Sequence, residues 1–258
     1  VRYGQRRSGV AMHMKKIERT SELLWLFGIL FVACGVALCS KADLGVSMVA
    51  APAFILGEAL APLWSGFSVG VIEYLIQGIL LVLLCASLRR FDWRFLLAFA
   101  VAVLYGYTLN LFLFLFRSLL LSAVWHRWIA LAAGDLCIAF GVACFFRTYL
   151  PLQAYELFVA EVSARFGFGV NKTKWVFDLS LLALSLALAF TLFGDAGSFD
   201  WSSVFGASYH SIGLGTLVTT AINSPLISLC GKCIDRIFLP TPLFPSLERI
   251  LGRKRKGT

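Results

Sequence analysis

The sequence predicts an all-α membrane protein, a polytopic helix bundle with six transmembrane helices and two shorter helices. The first observation is composition: 59% of the 258 residues are hydrophobic and only 14% are charged, whereas a soluble domain has about 25% charged residues. The second is length, since six apolar stretches each hold about the 20 residues that a spanning helix needs. The third is the distribution of basic residues, most of which fall on one side of these stretches.

The six predicted spans are spread along the whole chain. They cover approximately residues 21–40, 68–88, 95–116, 128–147, 175–193 and 211–231. Two of the connections contain shorter apolar segments, Val46 to Leu60 and Leu152 to Phe166. Segments of about 10–14 apolar residues are too short to cross a bilayer. We therefore expect two short re-entrant or interfacial helices, at residues 46–60 and 152–166.

Lysine and arginine predict the orientation, because they accumulate in the cytoplasmic loops of membrane proteins. With the N-terminus inside, 20 of the 23 basic residues lie in predicted cytoplasmic segments, and only Lys41, Arg117 and Arg127 lie outside. Both termini are therefore expected in the cytoplasm, which requires an even number of spans. The net charge of +9 then reflects topology, and no soluble basic face remains to predict nucleic-acid binding.

The two halves of the chain repeat one order of elements: a span, a short apolar segment and two further spans. Gly35-Val36-Ala37 in the first span matches Gly141-Val142-Ala143 in the fourth. Gly66-Phe67 likewise matches Gly167-Phe168, each just before the next span. Three spans is an odd number, so the halves enter the membrane with opposite polarity. The result is a 3+3 inverted repeat, as in many secondary transporters.

The repeat divides the chain into four parts. We predict a first repeat at residues 20–120 and a second at residues 121–238. Residues 1–19 are expected to form a disordered basic leader in the cytoplasm, and residues 239–258 a basic cytoplasmic tail. The lipid bilayer is therefore the principal partner that the sequence predicts.

Carboxylates deep in the spans are the first candidates for a site. An ionisable group at the membrane centre costs about 2.5–3.5 kcal/mol on insertion scales, and usually faces the bundle interior or water. Glu73 and Asp135 each lie about 9–10 Å inside their spans at a rise of 1.5 Å per residue. Both enter from the predicted outer side, so we expect them to meet in an outward-open cavity. A buried structural hydrogen bond is the alternative role for either.

Other polar residues extend this candidate pathway for a substrate or an ion. Gln77 lies four residues from Glu73 on the same helix face. A stripe of small and polar residues follows the sixth span, and helix packing is its alternative role. The complete set of pathway candidates is Glu73, Gln77, Asn110, Asp135, Glu156, Asp178, Thr216, Thr220 and Asn223.

The ends of the two short segments supply a second set of candidates. Helix ends leave backbone N–H and C=O groups free to contact a ligand. The candidates for the tips of the re-entrant segments are Asp43, Ser47, Pro52, Pro151 and Gln153. If the two helices instead lie flat at the interface, these residues belong to a solvated surface.

Residue patterns typical of enzymes are missing from the sequence. It has no phosphate-binding glycine loop, and no two of its histidines share a helix face for a metal. The one CxxC motif, Cys230-Gly-Lys-Cys233, has no partner pair. We therefore predict a protein that is not an enzyme, with no catalytic residue, metal or cofactor.

Four motifs lie in order along the chain. They are Lys41-Ala42-Asp43-Leu44-Gly45-Val46-Ser47, Leu150-Pro151 followed by Glu156, Lys172-x-Lys174-x-x-Phe177-Asp178, and Gly213-x-Gly215-Thr216. Together they resemble the YitT and YczE group of bacterial integral membrane proteins, over about Glu22 to Phe238. The resemblance implies a location in the bacterial inner membrane. The group often carries an aspartate near the end of the third span, where this chain has Asn110, which does not titrate.

These observations lead to one functional hypothesis and one alternative. We expect a secondary transporter or exporter that moves an unidentified small solute by alternating access. The alternative is a non-transporting scaffold or accessory subunit of another membrane complex. A homodimer or a complex with a partner membrane protein fits either hypothesis.

Overall fold

The computed structural model describes residues 21–64, 66–89, 91–194, 205–238 and 241–243. Within these ranges the chain forms eight α-helices and one 3₁₀ turn at Phe116–Ser118, with no strand beyond an isolated bridge. The helices are α1 (Ser21–Ala42), α2 (Ala51–Leu60), α3 (Val69–Leu88), α4 (Arg94–Leu115), α5 (Val124–Phe145), α6 (Ala154–Phe166), α7 (Val170–Leu192) and α8 (Leu214–Ile237). The predicted all-α class is confirmed. The leader at residues 1–19 and most of the tail lie outside the described residues.

Six of these helices, α1, α3, α4, α5, α7 and α8, are long and apolar enough to cross a membrane. They contain 20 to 24 residues. At 1.5 Å per residue this corresponds to about 30–36 Å, the thickness of a bilayer's hydrocarbon core. The six-span bundle predicted from hydropathy is therefore the architecture that the chain adopts.

The two remaining helices, α2 and α6, are too short to span and correspond to the two predicted short segments. α2 begins at Ala51 rather than at residue 46, with Pro52 in its first turn, where the missing N–H of proline costs no helical hydrogen bond. α6 begins at Ala154, and Gly167 ends it in the left-handed conformation, with φ of 70°. Glycine adopts this conformation without steric cost.

Helices α1 and α5 cross antiparallel at the centre of the bundle through two pairs of glycines. A Cβ atom on Gly35 would lie 2.5 Å from the carbonyl oxygen of Gly134, and one on Gly28 would lie 3.1 Å from that of Gly141. Small residues allow two backbones to approach this closely. The same number of residues separates Gly35 from Gly141 and Gly28 from Gly134. The symmetry that relates the two halves therefore converts one glycine pair into the other. This symmetry supports the inverted repeat.

The other helices follow the repeat in part. α2 packs against α7 and α6 packs against α3, so each half contributes its short helix to the other half. α4 packs on α1, as α8 packs on α5. The halves differ in their remaining contacts: α4 packs on α3, where Gly70 meets Gly106, and on α6, while α8 has no comparable contact with α7 or α2 in the described ranges. Within the described ranges, α8 therefore packs on its own half mainly through α5.

At one end of the bundle, the start of α1 contacts the chain that follows α5 and the chain that follows α8. The Glu22 carboxylate on α1 accepts hydrogen bonds from the backbone N–H of Leu243, at 2.9 and 3.0 Å. The Tyr149 hydroxyl, just after α5, donates to the same carboxylate across 2.5 Å. The start of α1 and the chain beyond α8 therefore lie at one end of the bundle, as an even number of spans requires.

Candidate functional site

A buried polar cluster surrounds the first turn of α6, where this short helix packs against α3, α4 and α7. Glu73 and Gln77 of α3 are 1% and 0% exposed. The Gln77 amide Nε2 donates a hydrogen bond to Glu73 Oε1 across 3.3 Å. The amide oxygen of Gln77 accepts a hydrogen bond from the backbone N–H of Ala154, also across 3.3 Å. Gln77 therefore links the carboxyl group of Glu73 to the beginning of α6.

The backbone N–H groups at the beginning of α6 need a hydrogen-bond acceptor from another part of the chain. The first N–H groups of a helix have no acceptor within the helix itself. Gln153, the capping residue, is 3% exposed and makes no side-chain cap. The N-terminal end of a helix also carries partial positive charge. The side-chain oxygen of Gln77, on α3, accepts a hydrogen bond from one of these N–H groups, and its partial negative charge interacts favourably with the helix end.

Two tyrosines approach Glu73, Tyr105 from α4 and Tyr155 from α6. They are 2% and 4% exposed, and both hydroxyls lie within electrostatic reach of the carboxyl group. In the described chain, neither Glu73 Oε2 nor the Tyr155 hydroxyl has a hydrogen bond of normal geometry. Burial raises the pKa of Tyr155 well above its ordinary value, so this hydroxyl keeps its proton. The carboxyl oxygen Oε2 can therefore accept one further donor.

Charged residues adjoin the cluster on the side of α7. Lys174 Nζ and Asp178 Oδ2 form an ion pair of 3.2 Å, one helical turn apart, with side chains 18% and 13% exposed. Glu156 of α6 lies within electrostatic reach of both. Burial raises the pKa of Glu156 to about 6, and the nearby Lys174 opposes this shift. Titratable groups thus extend from the buried Glu73 towards the surface of α7.

The N-terminal ends of α2 and α6 are both buried in the bundle. Ala51 at the start of α2 and Ala154 at the start of α6 belong to one buried apolar core. Val49, just before α2, packs against the apolar group that contains Tyr155. In many secondary transporters, short or broken helices bring their ends together at the binding site.

Of the predicted pathway residues, Glu73, Gln77, Glu156 and Asp178 come together here. Of the predicted tips, Gln153 adjoins the cluster and Pro151 stands two residues before it in the chain. The carbonyl of Pro151 accepts a hydrogen bond from the Trp25 indole on α1, at 3.0 Å. The remaining candidates lie elsewhere in the bundle.

Asn110 is on α4, and its side chain contacts the beginning of α3, outside the cluster. Its Oδ1 accepts a hydrogen bond from the backbone N–H of Gly70, and its Nδ2 donates to the Ser68 hydroxyl, both at 2.9 Å. Both ends of the amide are therefore engaged at the first turn of α3. An uncharged side chain that donates and accepts suits this position.

Asp135 does not meet Glu73, and the expectation of one shared outward cavity is wrong. Asp135 lies on α5, which packs against α1 and α8, and its charge acts on Cys39 and Cys230 of those helices. It is 5% exposed, and its Oδ1 has no hydrogen-bond partner among the described residues. Depth along a span does not encode the direction in which a residue faces, which explains the error.

The polar stripe of α8 is bonded largely within its own helix. Thr216 is fully buried, and its hydroxyl accepts a hydrogen bond from the backbone N–H of Gly213 at 3.3 Å. The Thr220 hydroxyl donates to the Thr216 carbonyl at 2.7 Å. Asn223 retains a buried Oδ1 without a partner in the described ranges. The threonines thus have structural contacts, while a pathway role for this stripe stays a prediction.

The predicted tip residues of the first half lie near the N-terminal end of α8 or in α2. Asp43 pairs with Arg127 at 3.3 Å and accepts a hydrogen bond from Ser208 at 2.8 Å. It borders a surface groove of about 520 Å³ that Arg127 also lines. Ser47 precedes α2 and is 9% exposed, and Pro52 is buried in its first turn. These residues are separate from the cluster around Glu73.

Sequence reasoning missed three members of the cluster: Tyr105, Tyr155 and Lys174. The two tyrosines stand in apolar stretches, where an aromatic residue usually indicates packing. Tyr155 is adjacent to Glu156, which was a usable signal. Lys174 entered the sequence analysis as a basic residue of the cytoplasmic side and as part of a family motif, and not as a pathway residue.

In the described part of the chain, no group of three or more histidine, cysteine, aspartate and glutamate side chains could hold a metal ion.

Residues 19–232 match the family DUF6198, which is described as a family of unknown function. The chain belongs to this family. This DUF6198 member is 26% identical over 217 residues to the "Uncharacterized protein YyaS" of Bacillus subtilis (strain 168), across 82% of this chain and 92% of the relative. No solved structure matches it. The wider resemblance to the YitT and YczE group stays a prediction.

Proposed function

We propose that this DUF6198 protein is a secondary transporter or exporter that moves a small solute by alternating access. The observation that carries the proposal is the buried carboxyl group of Glu73, linked by Gln77 to the N-terminal end of α6. A buried acid within a span is costly and usually serves a pathway or a site. Here it adjoins the N-terminal end of a short helix that packs against three long ones, and short helices form the binding sites of many secondary transporters.

The burial of the cluster fits an occluded conformation. Glu73 and Gln77 are almost completely shielded, so a solute reaches them only after neighbouring helices move. Because α8 has no comparable contact with α7 in the described ranges, these two helices of the second half can move relative to each other. A polar solute with a hydrogen-bond donor would complement the free oxygen of Glu73.

The rest of the proposal follows from the predicted topology. The protein lies in a bacterial inner membrane, with its N-terminus and C-terminus in the cytoplasm, because the basic residues favour that side. It acts without catalytic chemistry and without a cofactor, by binding and releasing its solute. The resemblance to the YitT and YczE group supports the same location.

Transport by purified protein in proteoliposomes tests the proposal. A library of labelled small solutes would be screened for uptake into vesicles that contain the full chain, with empty vesicles as the baseline. We expect at least one solute to accumulate, and Glu73→Gln to reduce its uptake by about tenfold or more. Glu58→Gln is the matched control, because Glu58 is 49% exposed on α2 and pairs with His210. Equal uptake by both variants would contradict the assignment of the site.

One observation favours the alternative of a scaffold or accessory subunit. The spans α7 and α8 each bury only 22% of their most apolar segment inside the bundle. Lipid can cover these surfaces, but so can a second copy of the chain or another membrane protein. Purification from native membranes in a mild detergent distinguishes the two, because a scaffold would retain a stoichiometric partner and tolerate Glu73→Gln.

A further inference from the structure

We propose that Glu73 is the proton-binding site that couples transport, and that Glu156 and the Lys174–Asp178 pair form its path to water. This inference rests on the proposed transport function and names its coupling ion. It gives a role to the carboxyl group of Glu73, which is only 1% exposed on α3. It also gives a role to the charged residues of α6 and α7.

The surroundings of Glu73 favour a bound proton. Its own helix presents the neutral amide of Gln77, α4 presents Tyr105, and α6 presents Tyr155 and Glu156. Among the described residues no cation pairs with Glu73, and Lys174, which acts on the neighbouring Glu156, pairs with Asp178. An unpaired buried charge costs far more than a neutral acid.

The two carboxyl oxygens of Glu73 have different environments that match the protonated form. Oε1 accepts the hydrogen bond from Gln77, whereas Oε2 has no donor of normal geometry in the described chain. A proton on Oε2 turns that oxygen into a donor. The nearby Tyr155 hydroxyl can accept from the acid or donate to the carboxylate, because a phenol does both. Tyr155 can therefore serve Oε2 as an acceptor when the acid is protonated and as a donor when it is ionised.

A path for the proton leads from Glu73 through α6 to α7. Glu156 follows Tyr155 in the chain, lies near Lys174 and Asp178, and has a carboxyl oxygen without a partner among the described residues. In each step an O–H bond breaks at one oxygen and forms at the next, so no electrons are transferred. The Lys174–Asp178 pair is the most exposed part of the path.

Infrared spectroscopy of the full-length protein in phosphatidylcholine and phosphatidylglycerol vesicles tests this inference without any solute. At neutral pH we expect a C=O band of a protonated carboxylic acid, which isotope-labelled glutamate shifts. The band should disappear in Glu73→Gln and remain in the exposed control Glu58→Gln. After transfer to heavy water it should shift as the proton exchanges, and Glu156→Gln should slow this shift by about tenfold or more.

Four results would overturn the inference. A wild-type protein without a glutamate C=O band, or a band that survives Glu73→Gln, would show that Glu73 holds no proton. A band that never shifts in heavy water would show that the proton has no route to water. Exchange at the wild-type rate in Glu156→Gln would remove the proposed path. Failure of every solute to accumulate in proteoliposomes would instead count against transport, and would leave the spectroscopic result intact.

Discussion

The backbone N–H of Ala154 donates a hydrogen bond to the side-chain oxygen of Gln77 across 3.3 Å. This bond joins the start of the short helix α6 to the middle of α3. The same side chain donates to Glu73, so one amide serves both the helix end and the acid. Because these groups are buried, each hydrogen bond is worth more than it would be in water.

Replacement of Gln77 tests how much this link contributes to stability. Gln77→Leu leaves the Ala154 N–H and Glu73 Oε1 without partners, and each unsatisfied buried group costs about 1–3 kcal/mol. We expect a clear fall in the unfolding temperature, measured by thermal unfolding in detergent micelles. Gln77→Glu keeps an acceptor for the Ala154 N–H but loses the donor, so its carboxyl must be protonated to restore both bonds. A Gln77→Leu protein as stable as wild type would show that the link is dispensable.

The glycine crossing between α1 and α5 predicts a strong steric effect. In Gly35→Ala the new methyl group would lie 2.5 Å from the Gly134 carbonyl oxygen and 2.8 Å from the Ile138 side chain. Overpacking of this kind typically costs about 1–3 kcal/mol. Gly169→Ala is the matched control, since a Cβ there meets nothing within 4 Å. Thermal unfolding should separate the two variants, and equal stability would contradict the close crossing.

Asn110 provides a test that separates a structural role from a role in the pathway. Asn110→Ala removes the acceptor for Gly70 N–H and the donor to Ser68 at the start of α3. We expect a loss of about 1 kcal/mol, as for other helix caps. The C=O band of Glu73 in the infrared spectrum should remain unchanged. Loss of that band in a folded Asn110→Ala protein would instead connect Asn110 to the proton site.

Glu156 predicts a pH dependence of stability with a definite sign. Its pKa in the folded protein is raised from 4.5 to about 6, chiefly by burial. The acid form is therefore favoured in the folded state. Its stabilising contribution is fully present below about pH 4.5 and is lost as the pH rises through about 6. Glu156→Gln cannot ionise, so it keeps a neutral side chain at every pH.

The test compares the stability of the wild-type protein with that of Glu156→Gln over the pH range in which Glu156 titrates. The stability of wild type relative to Glu156→Gln should fall between about pH 4.5 and 7, by of order 1–2 kcal/mol. Thermal unfolding at several pH values gives the difference directly, and other titrating groups cancel because both proteins contain them. A constant difference across the window would contradict burial as the cause of the shift.

The fold was accessible from the sequence because a bilayer imposes a length on every helix that crosses it. Six apolar stretches therefore predicted six spans, and Val46 to Leu60 and Leu152 to Phe166 predicted the two helices that are too short. Helix ends were less accurate. α5 begins at Val124, before the predicted residue 128, and α8 continues to Ile237, beyond residue 231. Hydropathy marks where a chain becomes polar, whereas a helix ends where its backbone hydrogen bonds end.

The sequence by itself determined the helical class, the number of spans and the candidate acids, because apolar length and charge position are properties of the chain. Only the tertiary structure decided which polar groups meet. It placed Glu73 beside Gln77, Tyr155 and Glu156, and it placed Asp135 on the other side, between α1 and α8. Contacts of this kind depend on how each helix is rotated and on its neighbours. Because lipid is as apolar as the residues that face it, hydropathy along the chain carries little information about either.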